Sequence, residues 1–108
     1  MDGVNLCEYR LEEIPFKNLK YTQDSVLSTF RDGTSVRNAS KKHLEDNILI
    51  TEYRGWMYIL SNRTAVAKQL AGHKSVLCQF RDFEDCKDEF LRKKTGAGGF
   101  PRIRESKN

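Results

Sequence analysis

Four residues at the start of a predicted helix, Ser61-Asn62-Arg63-Thr64, bring together the polar groups best suited to chemistry in this chain. Backbone N–H groups at a helix start are unpaired, and the helix dipole is positive there. Acidic residues are preferred at such a position, so an arginine is unusual. Its guanidinium can hold a phosphate at two points. The spacing indicates an anion site in which Arg63 holds phosphate, Asn62 orients it, and Ser61 and Thr64 add hydroxyl contacts.

The same residues also have a purely structural interpretation. Asn62 is a common helix N-cap residue, because its side chain can accept a hydrogen bond from a free backbone N–H group. Arg63 can pair with a nearby carboxylate such as Glu52. Under this interpretation the helix start is a stable surface feature without a ligand.

The hydrophobic pattern around these residues predicts a small α+β domain in the order β-α-α-β-β-α-β-α. The most secure element is a β-hairpin, in which "ILITEY" and "WMYIL" flank a turn at Arg54-Gly55. The predicted elements are an extended segment over 15–22, helices over 24–31 and 35–45, hairpin strands over 48–53 and 56–60, a third helix over 63–71, a strand over 75–80 and a last helix over 82–94. The third helix takes Asn62 as N-cap and Gly72 as C′ residue. Arg102-Ile103-Arg104 is expected to be a brief edge strand or irregular.

Apolar side chains at helical spacing define the faces that these helices should bury. In the third helix they are Val66, Ala67 and Leu70, and in the last helix Phe83, Cys86, Phe90 and Leu91. The small alanines of the third helix favour close packing against the sheet.

Length and charge predict one domain with a basic end. The chain has 108 residues, of which 38% are hydrophobic, enough for one modest core. Residues 1–90 carry 13 basic against 14 acidic side chains, whereas residues 91–108 carry 6 against 1. We therefore divide the chain into a lead-in over 1–15, a domain over 16–94 and a basic, glycine-containing tail over 95–108, which suits contact with phosphate backbones. A solvated chain end explains the tail equally well.

Several classes of protein are not expected. No apolar run approaches the roughly 20 residues of a membrane span, and the N-terminus lacks the basic and apolar regions of a secretory signal. A soluble protein, cytoplasmic or delivered into a target cell, is the expectation. Cys7, Cys78 and Cys86 are odd in number and lack metal-site spacing, which argues against disulfides and zinc. Cys78 is expected to be buried.

Two stretches, "LKYTQDSVLSTFRDGTSV" and "GWMYILSNRTAVAKQLAGHKSVLCQF", resemble the ParB/sulfiredoxin superfamily. The chain looks most like small ParB-like nuclease and toxin domains that carry a "DNRR" motif. Asn62 and Arg63 match the central "NR" of that motif, whereas Ser61 and Thr64 replace its outer charged residues. The opening box matches Tyr21, Gln23 and Asp24, and the "dG" after the first helix matches Asp32 and Gly33. No cysteine stands where sulfiredoxins place theirs, so sulfinic-acid reduction is not expected.

The resemblance implies a nuclease or nucleotide hydrolase, in some members a toxin effector, with nucleic acid or a nucleotide as its ligand. It implies Arg63, Asn62, Asp24 and Asp32 as catalytic residues. Tyr21, Gln23, Ser61, Arg63 and Thr64 are the implied phosphate-binding residues. A divalent cation such as Mg²⁺ and an immunity-type protein inhibitor would accompany this activity.

Other residues leave further hypotheses open. The basic residues expected to contact nucleic acid are Arg92, Lys93, Lys94, Arg102 and Arg104. His43 and His73 are possible general bases, but we expect His43 to be solvated on a surface helix and His73 to lie at the wrong helix end. Any exposed aromatic of the hairpin, among Tyr53, Trp56 and Tyr58, can stack on a base. The degenerate motif equally fits a non-catalytic module that binds nucleic acid or protein. A third hypothesis is a nucleotide-gated switch.

Overall fold

In a computed structural model, described here for residues 11–105, the chain forms a five-stranded mixed sheet with a helix on each face. The strands are β1 (Leu11–Pro15), β2 (Leu19–Tyr21), β3 (Ser25–Leu27), β4 (Ile48–Tyr53), β5 (Trp56–Ile59), β6 (Ser75–Phe80) and β7 (Arg102–Arg104). The helices are α1 (Lys41–Glu45), α2 (Asn62–Leu70) and α3 (Phe83–Lys93), with a 3-10 turn at Phe16–Asn18. The main sheet has the order β1-β6-β4-β5-β2, and β3 and β7 form a separate pair. The predicted α+β class is confirmed.

The hairpin forms as predicted. Arg54 and Gly55 both have positive φ angles, of 54° and 84°, which match the twist of a tight two-residue hairpin turn. Ile50 pairs with Ile59 and Tyr53 with Trp56 across the hairpin. The strand β6 and the last helix are confirmed as well.

Successive side chains of each strand point to opposite faces of the sheet, so the core has two parts. One face of the sheet packs against α2 through Ile48, Ile50 and Ile59, with Val66 and Ala67 of the helix. The other face packs against α3, in a cluster formed by Tyr58, Leu60, Cys86 and Phe90 with Tyr53 and Phe83 packed against it. Cys78 is 1% exposed, as predicted. Cys78 and Cys86 are free thiols, and Cys7 lies outside the described residues.

The predicted helix over residues 24–31 is wrong. Ser25–Leu27 is a strand that pairs in parallel with Arg102–Arg104, and Val26 is buried while Leu27 is exposed. A partner almost eighty residues away in the chain therefore overrides the local pattern. This partner also shows that Arg102–Arg104 forms an edge strand.

The predicted helix over residues 35–45 is too long. Only Lys41–Glu45 is helical, and the Ser40 hydroxyl accepts a hydrogen bond from the His43 backbone N–H group at 3.4 Å. Val36 instead donates a backbone hydrogen bond to Ser28, next to β3. The predicted order β-α-α-β-β-α-β-α is therefore wrong for the elements before the hairpin.

Boundaries and faces differ in three further places. The predicted lead-in contains β1, which pairs antiparallel with β6, while residues 1–10 lie outside the described part. Leu70 and Leu91, predicted to be inward, are 45% and 51% exposed. Ser61, and not Asn62, is the N-cap of α2, whereas Gly72 does follow the helix with a φ of 99°. Among residues 11–105 no helix combines the length and apolar character of a membrane span.

Candidate anion site at the start of helix α2

A cavity of about 350 Å³ opens at the first turn of α2, a volume within the range of small-ligand sites. Four parts of the chain meet there: the loop after β2, the turn after β3, the junction of β5 with α2, and the end of α3. The lining residues are Gln23, Phe30, Arg31, Leu60, Ser61, Asn62, Arg63, Thr64 and Lys93. Three of them are cations and none is a carboxylate. We call this cavity the anion site.

Asn62 ties the loop after β2 to the helix. Its side-chain oxygen accepts hydrogen bonds from the backbone N–H groups of Thr22 and Gln23, at 3.2 and 3.3 Å. Its side-chain nitrogen donates to the Thr22 hydroxyl at 2.8 Å and to the Leu60 carbonyl at 3.2 Å. Asn62 is 3% exposed. These internal bonds occupy its amide, so Asn62 shapes the site and fixes Gln23 at its wall.

The first turn of α2 leaves its backbone donors without a side-chain cap. The Ser61 hydroxyl makes no capping bond and instead accepts a hydrogen bond from the Leu49 N–H group at 3.0 Å. The first helical bond runs from Ala65 N–H to the Ser61 carbonyl, so the N–H groups before it have no partner within the helix. The first turn contains no acidic residue. The positive end of the helix therefore faces the cavity without a neutralising side chain.

Arg63 is half-buried and held in place. One terminal nitrogen donates to the Thr29 carbonyl at 2.7 Å, and the guanidinium carbon lies 6.0 Å from the centre of the Phe30 ring. None of the ion pairs between described residues includes Arg63, so the pairing with Glu52 does not form. A guanidinium has further N–H donors, and among residues 11–105 those of Arg63 make no other hydrogen bond.

Lys93 reaches the same cavity from the end of α3. Its ammonium donates to the Leu60 carbonyl at 3.0 Å and to a Glu89 carboxylate oxygen at 2.8 Å. The hydrogen bond from Lys93 lowers the pKa of Glu89. Because Glu89 takes up part of the Lys93 charge, Arg63 and the exposed Arg31 supply most of the positive potential.

Arg31 is a site residue that sequence reasoning missed. It lies in the turn after β3, which a 2.9 Å hydrogen bond from Gly33 N–H to the Phe30 carbonyl closes. The stretch "FRDG" could have indicated this position, because Asp32-Gly33 predicts a turn that leaves the preceding arginine at the surface.

Three predicted site residues do not line the cavity. The Tyr21 hydroxyl donates to the Gln69 side chain at 2.9 Å, and burial raises the pKa of Tyr21. Asp24 is exposed and accepts a 3.1 Å hydrogen bond from the Thr95 hydroxyl. Asp32 accepts from the Thr34 N–H group at 2.9 Å. Within residues 11–105, no three His, Cys, Asp or Glu side chains gather as a metal site.

His43 lies behind the cavity wall in a packed position, contrary to the solvated one expected. Its ring stacks on Phe30 with 3.8 Å between centres and an angle of 4°. Its Nε2 atom lies 3.0 Å from an Asp32 carboxylate oxygen, and its side chain is 14% exposed. An Asp–His pair therefore adjoins the anion site through Phe30. His73 is exposed in the turn after α2, away from the start of the helix.

The remaining predicted basic residues are spread over other elements. Arg92 is exposed on α3, and Lys94 lies with its ammonium 5.6 Å from the centre of the Tyr58 ring. Arg102 and Arg104 are exposed on β7, where Arg104 also donates to the Ser25 hydroxyl at 2.9 Å. Between residues 95 and 105, the predicted tail thus includes an ordered strand.

The site and fold define a small α+β domain with a basic cavity at a helix start. No protein-family model matches the chain, and no curated protein matches it in sequence. Among solved structures it is similar to the C-terminally truncated chromosome-partitioning protein ParB from Caulobacter crescentus complexed to the centromeric parS site, with 26% identity and a TM-score of 0.41. The match covers 65% of this chain and only 38% of that one.

Proposed function

We propose that this domain binds nucleic acid by holding a backbone phosphate in the anion site. The observation that carries the proposal is that Arg31, Arg63 and Lys93 converge on the uncapped first turn of α2 with no carboxylate among the lining residues. Backbone N–H groups at a helix start and guanidinium groups are the usual phosphate ligands of proteins.

A polyanion suits the surroundings better than an isolated phosphate. Arg92 and Lys94 precede and follow Lys93 at the end of α3 and add further positive charge to this part of the molecule. Additional cations strengthen the salt-dependent, sequence-independent attraction that phosphate backbones show. A free nucleotide would make the same phosphate contacts in the anion site alone. Competition of free nucleotides with labelled nucleic acid distinguishes the two ligands.

The test is fluorescence anisotropy with labelled single-stranded and duplex DNA and RNA at low salt. We expect Arg63→Ala to weaken binding roughly tenfold or more, because it removes a charge-assisted contact. Arg31→Ala should weaken binding without unfolding the protein, because Arg31 is exposed. The matched control is Arg37→Ala, which removes an exposed arginine that pairs with Glu105 outside the cavity. Unchanged affinity in both cavity variants, with intact thermal unfolding, would contradict the proposal.

Phosphodiester cleavage is a second candidate function, and the Asp32–His43 pair favours it. Histidine is the common proton-transfer group near neutral pH, and a carboxylate partner orients its ring. Cleavage of DNA or RNA, assayed with Mg²⁺ or with EDTA, supports an enzyme if His43→Gln removes the product and retains binding. Binding without product supports a non-catalytic module. A toxin role and an immunity-type inhibitor follow only from the enzyme.

A further inference from the structure

Trp56 is the single tryptophan of the chain and the most exposed of the large hydrophobic residues described, at 55%. It begins β5 directly after the hairpin turn. The other two hairpin aromatics, Tyr53 and Tyr58, pack against Phe90 of α3, with 4.8 and 5.2 Å between ring centres. The structure therefore leaves Trp56 as the hairpin aromatic able to accept a ligand.

Lys20 is held over the ring of this tryptophan. Its ammonium lies 4.2 Å from the centre of the Trp56 ring. The rest of its side chain packs on Gly98, where an added Cβ atom would lie 3.1 Å from the Lys20 Cγ and Cδ atoms. Gly98 also has a φ of 106°, which a side chain disfavours. The backbone after α3 thus positions a cation next to an exposed aromatic ring.

A basic and aromatic groove continues from Trp56 along the same face of the sheet. Its volume is about 420 Å³, and its lining residues are Tyr53, Arg54, Trp56, Tyr58 and Lys94. None of these is acidic, and the Arg54 guanidinium carbon lies 5.3 Å from the Tyr53 ring centre. Lys20 is the register partner of Tyr58 and so belongs to this face.

The groove and the anion site each reach one residue at the end of α3. Lys93 lines the anion site and the next residue, Lys94, lines the groove. A sugar–phosphate chain that enters the anion site can therefore continue past Lys94 and present one of its bases to Trp56. Only a strand with unpaired bases offers both a backbone phosphate to the anion site and a free base face to Trp56.

We propose that Trp56 is a stacking platform for an unpaired nucleobase, with Lys20, Arg54 and Lys94 contacting the neighbouring phosphates. This inference rests on the proposed function and names its substrate class as single-stranded nucleic acid. Positive groups around an exposed tryptophan complement a polyanion with flat bases. They do not complement a purely apolar partner.

The experiment uses the intrinsic fluorescence of Trp56, which a stacked base quenches. We expect quenching by a single-stranded oligonucleotide and none by an abasic strand with the same number of phosphates. In an anisotropy assay, Trp56→Ala should weaken single-strand binding roughly tenfold and leave duplex binding unchanged. Trp56→Phe should restore most of the affinity, because it keeps an aromatic ring.

The outcomes separate this inference from the proposed function. Single-strand binding that depends on Arg63 but shows no quenching and no effect of Trp56→Ala overturns the stacking platform and leaves the proposed function standing. Equal quenching by the abasic strand also overturns the platform. Failure of every oligonucleotide to bind overturns both.

Discussion

At the scale of single residues, Arg63 occupies a position where an acidic side chain would be more stable. A cation at a helix start repels the positive end of the helix dipole, by a few tenths of a kcal/mol to about 1 kcal/mol at exposed sites. The hydrogen bond to the Thr29 carbonyl offsets part of this repulsion. An arginine held in this way concentrates positive potential that only an anion neutralises fully.

Asp32 gives a prediction about pH at the same scale. The pKa of Asp32 falls from 3.8 to about 2, chiefly because its carboxylate accepts hydrogen bonds from Thr34, and also because His43 lies beside it. A carboxyl group with a lowered pKa stabilises the fold above its ordinary pKa, and this stability is lost as pH falls through the lowered value. We expect Asp32→Asn to lower the free energy of unfolding above about pH 4, with the difference from wild type vanishing near pH 2.

The measurement is urea unfolding followed by Trp56 fluorescence at several pH values. Glu45→Gln is the matched control, because Glu45 is an exposed carboxylate in a loose 3.9 Å pair with Lys41 and such pairs contribute little. A difference between Asp32→Asn and wild type that stays constant down to pH 2 would show that Asp32 does not act through its charge.

At the scale of elements, the contact between the loop after β2 and the start of α2 determines the shape of the anion site. Asn62 makes three hydrogen bonds across this contact, to Thr22 and Gln23, and a fourth to the neighbouring Leu60 carbonyl. The buried Thr22 hydroxyl adds a further hydrogen bond to this contact, which it donates to the Ile59 carbonyl at 2.7 Å. The loop and the helix start therefore move as one unit.

We expect Asn62→Ala to lower the free energy of unfolding by about 2–4 kcal/mol, because the buried Thr22 N–H group and hydroxyl lose their hydrogen bonds to the amide. Chemical denaturation with a two-state fit measures this loss. Asn38→Ala, at an exposed asparagine, should change stability by less than about 0.5 kcal/mol. A similar decrease in the free energy of unfolding in both variants would mean that the hydrogen bonds of the Asn62 side chain do not stabilise the contact between the loop and α2.

The same elements show what sequence alone can predict. The hairpin, β6 and α3 carry their signals within a few residues: a turn at Arg54-Gly55, β-branched runs and a regular apolar spacing. The strand β3 carries no such signal, since its partner β7 lies near the other end of the chain. Arg63 was identifiable from its position at a helix start. Its convergence with Lys93, thirty residues later, depends on how α3 packs against the sheet and could not be predicted locally.

At the scale of the whole molecule, two groups of arginines lie in different parts of the fold. Arg31 and Arg63 belong to the anion site, while Arg102 and Arg104 lie on the edge strand β7. Net charge alone attracts nucleic acid to either group equally. Specific phosphate contacts distinguish them, because only ions displaced at a contact contribute to the salt dependence of binding.

The double variants Arg31→Ala/Arg63→Ala and Arg102→Ala/Arg104→Ala remove the same residue types and the same net charge, so each is the control for the other. We measure the slope of log affinity against log salt concentration with single-stranded DNA. Each lost phosphate contact should reduce the slope by roughly 0.7. We expect the first double variant to reduce it by roughly 0.7 and the second by much less, because the proposed site holds one phosphate between its two arginines. Equal reductions in both would mean that the polyanion follows the overall charge of the protein and that the cavity at the start of α2 is not its binding site.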